Sequence, residues 1–256
     1  MTLWHSLFIS SPETTKIATI IDSFATEQGY KRYDPFTGLP GMTYPHTLKI
    51  FVAPSHIGWT RIILDSTSQP DVYDALAKEL SSFADCLAVR LSSKQGRVTV
   101  YRAGEVCELE AWATKHGADS TQTLSDALQK QDLAPASDGT IGTIAVENLP
   151  PDMREMVGKV NAKQANKLFE KLAKRFLSAG DRLEAQALLN QQPDWDSEDG
   201  RYIRAVMAYL TVVGDAWRTP DFADIRSAYL AHSTGEKTSI ANIADYTPIY
   251  AGKLGG

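Results

Sequence analysis

Cysteine is nearly absent from this chain of 256 residues, which holds only Cys86 and Cys107. Two thiols that form no C-x-x-C pair exclude a disulfide framework and point to reduced, buried side chains in a cytoplasmic protein. Long apolar runs are absent too. None approaches the roughly 20 residues that cross a bilayer. The opening Met1–Ser10, "MTLWHSLFIS", is apolar, but no Lys or Arg precedes it and His5 interrupts it, so a first strand is expected there rather than an export signal.

A charge of one sign is also missing. The chain has 26 basic and 31 acidic residues, a net −5, which argues against wholesale binding to nucleic acid or anionic membranes. The familiar catalytic signatures do not occur: there is no H-E-x-x-H, no G-x-S-x-G, no Rossmann glycine fingerprint and no phosphate loop. "STGEKTS" at Ser233–Ser239 lacks the leading glycine, and Glu236 separates Gly235 from Lys237. "DWDSEDG" at Asp194–Gly200 places its glycine one residue late for a calcium loop, with Ala205 where the final Glu belongs, so an acidic helix start is the reading. The five histidines are scattered singly. No metal and no cofactor is expected.

What is present is an ordinary globular composition, 43% hydrophobic and 22% charged. Trp4–Ile9 has strand length. Ser11, Pro12 and Glu13 punctuate a helix whose Ile17, Ile20, Ile21 and Phe24 form an i, i+3, i+4, i+7 stripe, stopped at Gly29. "LKIFV" and "GWTRIILD" read as two strands. Val72, Leu76, Leu80 and Phe83 mark a second helix, and "CLAVRL", "RVTVYR" and "EVCELEAW" follow as a meander. The order strand, helix, strand, strand, helix, strand predicts an α+β fold with a ferredoxin-like split βαβ antiparallel sheet, extended by C-terminal strands and followed by an all-α helical domain. The expected organisation is a sheet domain over 1–112, a connecting segment over 113–148 with one weak helix at Thr123–Gln131, and a helical domain over 149–256. The stretch from Gly58 to Leu91 resembles bacterial α/β domains, and that resemblance carries no functional residue across.

In the last hundred residues, "LAKRFLSAGDRLEA" resembles a tetratricopeptide turn at Ala173, Phe176, Gly180, Asp181 and Ala185. The echo thirty-four residues on, at Gly214-Asp215, departs from it at Trp217 and Pro220, so an irregular bundle is expected. Thr219 and Pro220 read as the cap and first position of the last helix. Lys159, Lys163, Lys167 and Lys171 recur every fourth residue as a basic ridge. Fourteen basic residues stand against fourteen acidic ones in this part, so the ridge reads as a solvated face.

One feature departs from the average. Tyr30–His46, "YKRYDPFTGLPGMTYPH", places three prolines and four rings in one long connection. Pro35, Pro40 and Pro45 lower the entropy lost on ordering, and Tyr30, Tyr33, Phe36 and Tyr44 carry more apolar surface than a solvated loop keeps in water. An ordered loop folded back on the body is expected, with Tyr33, Phe36, Tyr44, His46, His56 and Trp59 as candidate binding residues. Two functions follow from different classes. The first is a soluble binding or scaffolding protein whose partner is another protein or a second copy. The alternative is an enzyme whose site is assembled from His46, His56 and Asp34.

Overall fold

The computed structural model describes residues 4–36, 44–65, 70–92, 95–116, 123–130, 140–141, 144–145, 195, 197–210, 217–238 and 240–253. The elements in chain order are β1 (Trp4–Ile9), α1 (Thr14–Glu27), β2 (Lys31–Arg32), β3 (His46–Val52), β4 (Thr60–Leu64) and α2 (Pro70–Ser81). Then come β5 (Cys86–Leu91), β6 (Gly96–Arg102), β7 (Glu105–Cys107), α3 (Leu109–His116), α4 (Leu124–Lys130), β8 (Thr140–Ile141) and β9 (Ile144–Ala145). Last are α5 (Glu198–Tyr209), α6 (Phe222–Ser233), a 3₁₀ turn (Ile243–Asp245) and β10 (Thr247–Lys253).

The chain is a mixed α/β protein built on an eight-stranded sheet of order β2-β10-β3-β4-β1-β5-β6-β7. Every adjacent pair is antiparallel. β8 and β9 pair separately.

Helices cover both faces of the sheet. On one face Leu7, Ile9, Ile50, Ile62 and Leu64 pack against Ile17, Ile21 and Phe24 of α1 and Tyr73, Leu76 and Leu80 of α2. On the other, Phe8, Leu87, Val89 and Val100 meet Trp112 of α3, Leu124 of α4, Ile203 and Val206 of α5, and Trp217. Farther along this second face, Phe51, Ile63 and Tyr250 meet Ile225 and Ala228 of α6. A strand covered twice has no solvent side, so β1 and β4 are buried at every position and read as runs instead of alternations. Each large side chain so buried contributes roughly 1.5–3 kcal/mol of transfer free energy.

α1 and α2 share one face, as their stripes require, and Gly29 ends α1 at φ 80°. α4 forms where a weak helix was expected. The acidic start of α5 is a helix cap: Ser197 Oγ accepts from Gly200 N at 3.1 Å, ahead of Glu198 and Asp199.

Two expectations about element boundaries are corrected. "EVCELEAW" is not one strand. β7 stops at Cys107 because the Glu108 carboxylate accepts from Glu110 N (3.0 Å) and Ala111 N (2.6 Å), opening α3. The last helix starts at Phe222, not Pro220. Asp221 and Asp224 form a reciprocal capping box, at 2.9 and 3.2 Å, two residues beyond the expected cap.

The C-terminal stretch supplies α5 and α6 to the sheet's second face and β10 to the sheet itself. β10 pairs with β3 from Thr247↔Val52 to Lys253↔His46. Pro248, lacking an N–H, fits this strand only with its nitrogen turned away from β3. Its carbonyl also faces outward and accepts from Arg32 Nη1 at 3.1 Å. The tetratricopeptide-like turn and the basic ridge Lys159, Lys163, Lys167 and Lys171 lie outside the described residues.

Candidate functional site

The described part of the ring-rich connection lies on the second face, against β10 and α6. β2 pairs with β10 at Ala251↔Arg32 and Gly252↔Lys31, and Tyr33 N donates to Tyr250 O at 3.0 Å. The Asp34 carboxylate then accepts from Phe36 N at 2.8 Å, an Asx turn that brings Phe36 back over the sheet. The Phe36 ring lies 5.0 Å from Tyr229 and 5.4 Å from Tyr250, centre to centre. Tyr44 stacks on Tyr33 at 5.4 Å, and Tyr33 meets Tyr250 edge-on at 5.9 Å. Phe51 extends the cluster to Tyr229 and Phe222. Such pairs add roughly 0.5–1.5 kcal/mol each beyond area burial. Tyr30 packs apart from them, in the core beside α1.

This arrangement leaves an open cleft of about 660 Å³, lined by Arg32, Tyr33, Asp34, Pro35, Phe36, Tyr229, Ser233, Pro248 and Tyr250. Four rings, two prolines and few charges give it an apolar wall. Arg32 fixes one side: its guanidinium holds the Asp22 carboxylate (Nε–Oδ1 2.7 Å, Nη2–Oδ2 2.8 Å) as well as Pro248 O. Burial pushes the phenols of Tyr33 and Tyr250 up, with Asp65 adding to both and Arg226 opposing it. Arg226 lies against the Tyr250 hydroxyl without a hydrogen bond of ordinary geometry. Both phenols therefore stay protonated at neutral pH and act as hydrogen-bonding groups, not bases.

The candidate residues divide between places. Tyr33, Phe36 and Tyr44 come together, with Asp34 as the turn that sets Phe36. His46 and His56 do not meet. His46 opens β3, opposite Lys253, and His56 lies beyond its far end, past about 20 Å of extended chain. His56 is in the β3–β4 hairpin, bridged to Trp59, whose ring meets Trp112 edge-on at 6.3 Å. Among the described residues no three His, Cys, Asp or Glu side chains are grouped to hold a metal ion. Cys86 is buried and Cys107 half-buried, both free thiols, and burial pushes Cys86 up.

Tyr229, Tyr250, Pro248 and Arg32 were not among the candidates. Each is distant in sequence from the loop, or polar within it, and the packing of β10 and α6 brings them together. Arg61 is a further buried group with no local signal. Its guanidinium donates to Ser6 Oγ (3.1 Å), Pro220 O (3.0 Å) and Arg218 O (3.4 Å), tying β4 to the segment that leads into α6. Burial lowers it to about 10, so it remains a cation at neutral pH. No protein-family model, curated protein or solved structure matches this chain.

Proposed function

We propose that this chain is a binding protein that captures another protein, or a second copy of itself, in the cleft between β10, the Tyr33–Phe36 segment and α6. The observation that carries this reading is the lining. Tyr33, Phe36, Tyr229 and Tyr250 present rings held by one another, and a rigid aromatic surface beside a few polar groups suits recognition of a peptide segment. No histidine or cysteine is among the described lining residues, which favours binding over the alternative of catalysis. The free thiols support a reducing, cytoplasmic setting. Nucleic acid is disfavoured by the net charge of −5, and among the described residues no helix is long and apolar enough to cross a membrane.

We also read β1, α1, β3, β4, α2 and β5 as a ferredoxin-like unit. The sheet order β3-β4-β1-β5 and the shared face of α1 and α2 support it. That fold hosts many activities and brings none of its own here. The test of the binding reading is affinity purification from the source cells, comparing wild type with Phe36→Ala and Tyr229→Ala. A protein recovered in stoichiometric amount with wild type and lost with both variants, each still folded by near-ultraviolet circular dichroism, supports the reading. Equal recovery with all three overturns it.

A further inference from the structure

The Tyr250 hydroxyl is a buried polar group without a hydrogen bond. The residue is 2% exposed and lines the cleft, and its Oη has no partner. Burial pushes this phenol up, so its proton stays in place and needs an acceptor. Arg226 lies against it. A guanidinium only donates, so it cannot take that proton, and it brings further donors to the same spot.

Arg226 stands on the cleft side of α6. Arg226, Tyr229 and Ser233 follow one another at i, i+3 and i+7, and the last two line the cleft. Its charge acts on both Tyr33 and Tyr250. The acids nearby are already committed. Asp22 is held by Arg32, Asp65 by Lys49 at 3.0 Å, and Asp34 closes the turn onto Phe36 N. Arg226 is exposed and makes no ion pair among the described residues. One end of the cleft thus gathers hydrogen-bond donors and a positive charge beside a wall of rings.

We propose that the segment captured in the cleft is acidic: an Asp or Glu carboxylate accepts from the Tyr250 hydroxyl and the Arg226 guanidinium, while a neighbouring apolar side chain lies against Tyr33, Phe36 and Tyr229. The proposal rests on the binding reading above and names the chemistry of what binds. A carboxylate answers both donors at once, because it accepts only and has two oxygens to do so. The opposite charge of Arg226 offsets its lost hydration and disfavours a basic segment. A phosphoryl group is the weaker occupant. Recognition of a phosphorylated segment gathers several arginines, and here Arg32 is held by Asp22.

The test selects random peptides displayed on phage against the full chain. Enriched sequences are made as synthetic peptides and titrated against wild type, Phe36→Ala, Tyr250→Phe and Arg226→Glu, each shown folded by near-ultraviolet circular dichroism. The expected peptides need Phe36 and carry Asp or Glu beside an apolar residue. Tyr250→Phe keeps the ring and melts no lower than wild type, yet binds them about tenfold more weakly, the size of one hydrogen bond to a charged group. Arg226→Glu loses them and gains the same peptides with Lys in place of the acid. Peptides that need Phe36 but bind Arg226→Glu as well as wild type overturn this proposal and leave the binding reading standing. Tighter binding with phosphoserine in place of the acid also overturns it, in favour of a phosphorylated partner. Enrichment of no Phe36-dependent peptide overturns the binding reading, and this proposal with it.

Discussion

Tyr44 lies flat across Gly252. A Cβ built on Gly252 would stand 2.2 Å from Tyr44 Cγ and 2.3 Å from Cδ2, so the ring occupies the space that any other residue in this strand would fill. The glycine weakens β10 by itself, and the ring from the Tyr30–His46 connection covers the gap it leaves.

Gly252→Ala is therefore expected to displace Tyr44 and, through their stacking, disturb Tyr33. Overpacking of this kind costs roughly 1–3 kcal/mol. Thermal melting with ring-proton spectra of Tyr33 and Tyr44 checks it. A variant with unchanged melting and unchanged ring shifts would show that the contact constrains nothing.

His5 sets an acid limit on stability. It is buried on the first face, stacked on Tyr73 at 4.8 Å, with Nε2 bonded to Asp65 O at 3.0 Å and Nδ1 without a hydrogen-bond partner. Burial, opposed by the Asp65 carbonyl and reinforced by Arg90, lowers it from 6.5 to about 4. A histidine depressed in the folded state favours the neutral form there. Between pH 6.5 and 4 the unfolded chain binds more protons, so stability is full above 6.5 and falls as pH drops through this window, by about 3 kcal/mol in all. Denaturant unfolding across the window checks the slope, and His5→Gln is expected to remove one proton's worth of it.

Arg61 is buried, and its guanidinium donates to one hydroxyl and two carbonyls. Arg61→Ala leaves those acceptors unmet, a loss on the order of 3 kcal/mol. Arg61→Lys recovers only part, because one ammonium does not reproduce the guanidinium fork. Melting temperatures in the order wild type, Lys, Ala test the assignment.

The second face joins the two ends of the chain. Phe8, Val89 and Val100 share a core with Ile203, Val206 and Trp217, and β3 has β10 as a neighbour. A fragment ending at residue 112 loses these partners and is expected to lack sharp near-ultraviolet dichroism and cooperative melting. Trp217→Ala in the full chain is expected to cost roughly 3–5 kcal/mol.

The sheet's centre was legible because its signals are local. The Ile17–Phe24 stripe, the runs in β1 and β4 and the meander through β6 each declare their period within one element. β10 was not legible: "TPIYAGK" holds Pro248 and Gly252, which both count against a strand. Pro248 is tolerated because its nitrogen faces away from β3, and Gly252 because Tyr44 covers it, and neither fact is visible within seven residues. The loop's rings gave half the cleft. Tyr229 and Tyr250, the other half, come from elements about two hundred residues away, and one ring in a helix or strand is an ordinary core signal. His46 and His56 looked like neighbours because they flank one strand, yet the extended length of that strand is what separates them.

The measurement that bears most directly on the binding account is chemical-shift mapping of the aromatic rings on addition of the captured partner. The rings of Tyr33, Phe36, Tyr229 and Tyr250 are expected to shift together, in proportion to occupancy. Shifts confined to rings outside the cleft, such as Tyr73 or Tyr101, with these four unmoved, would contradict it.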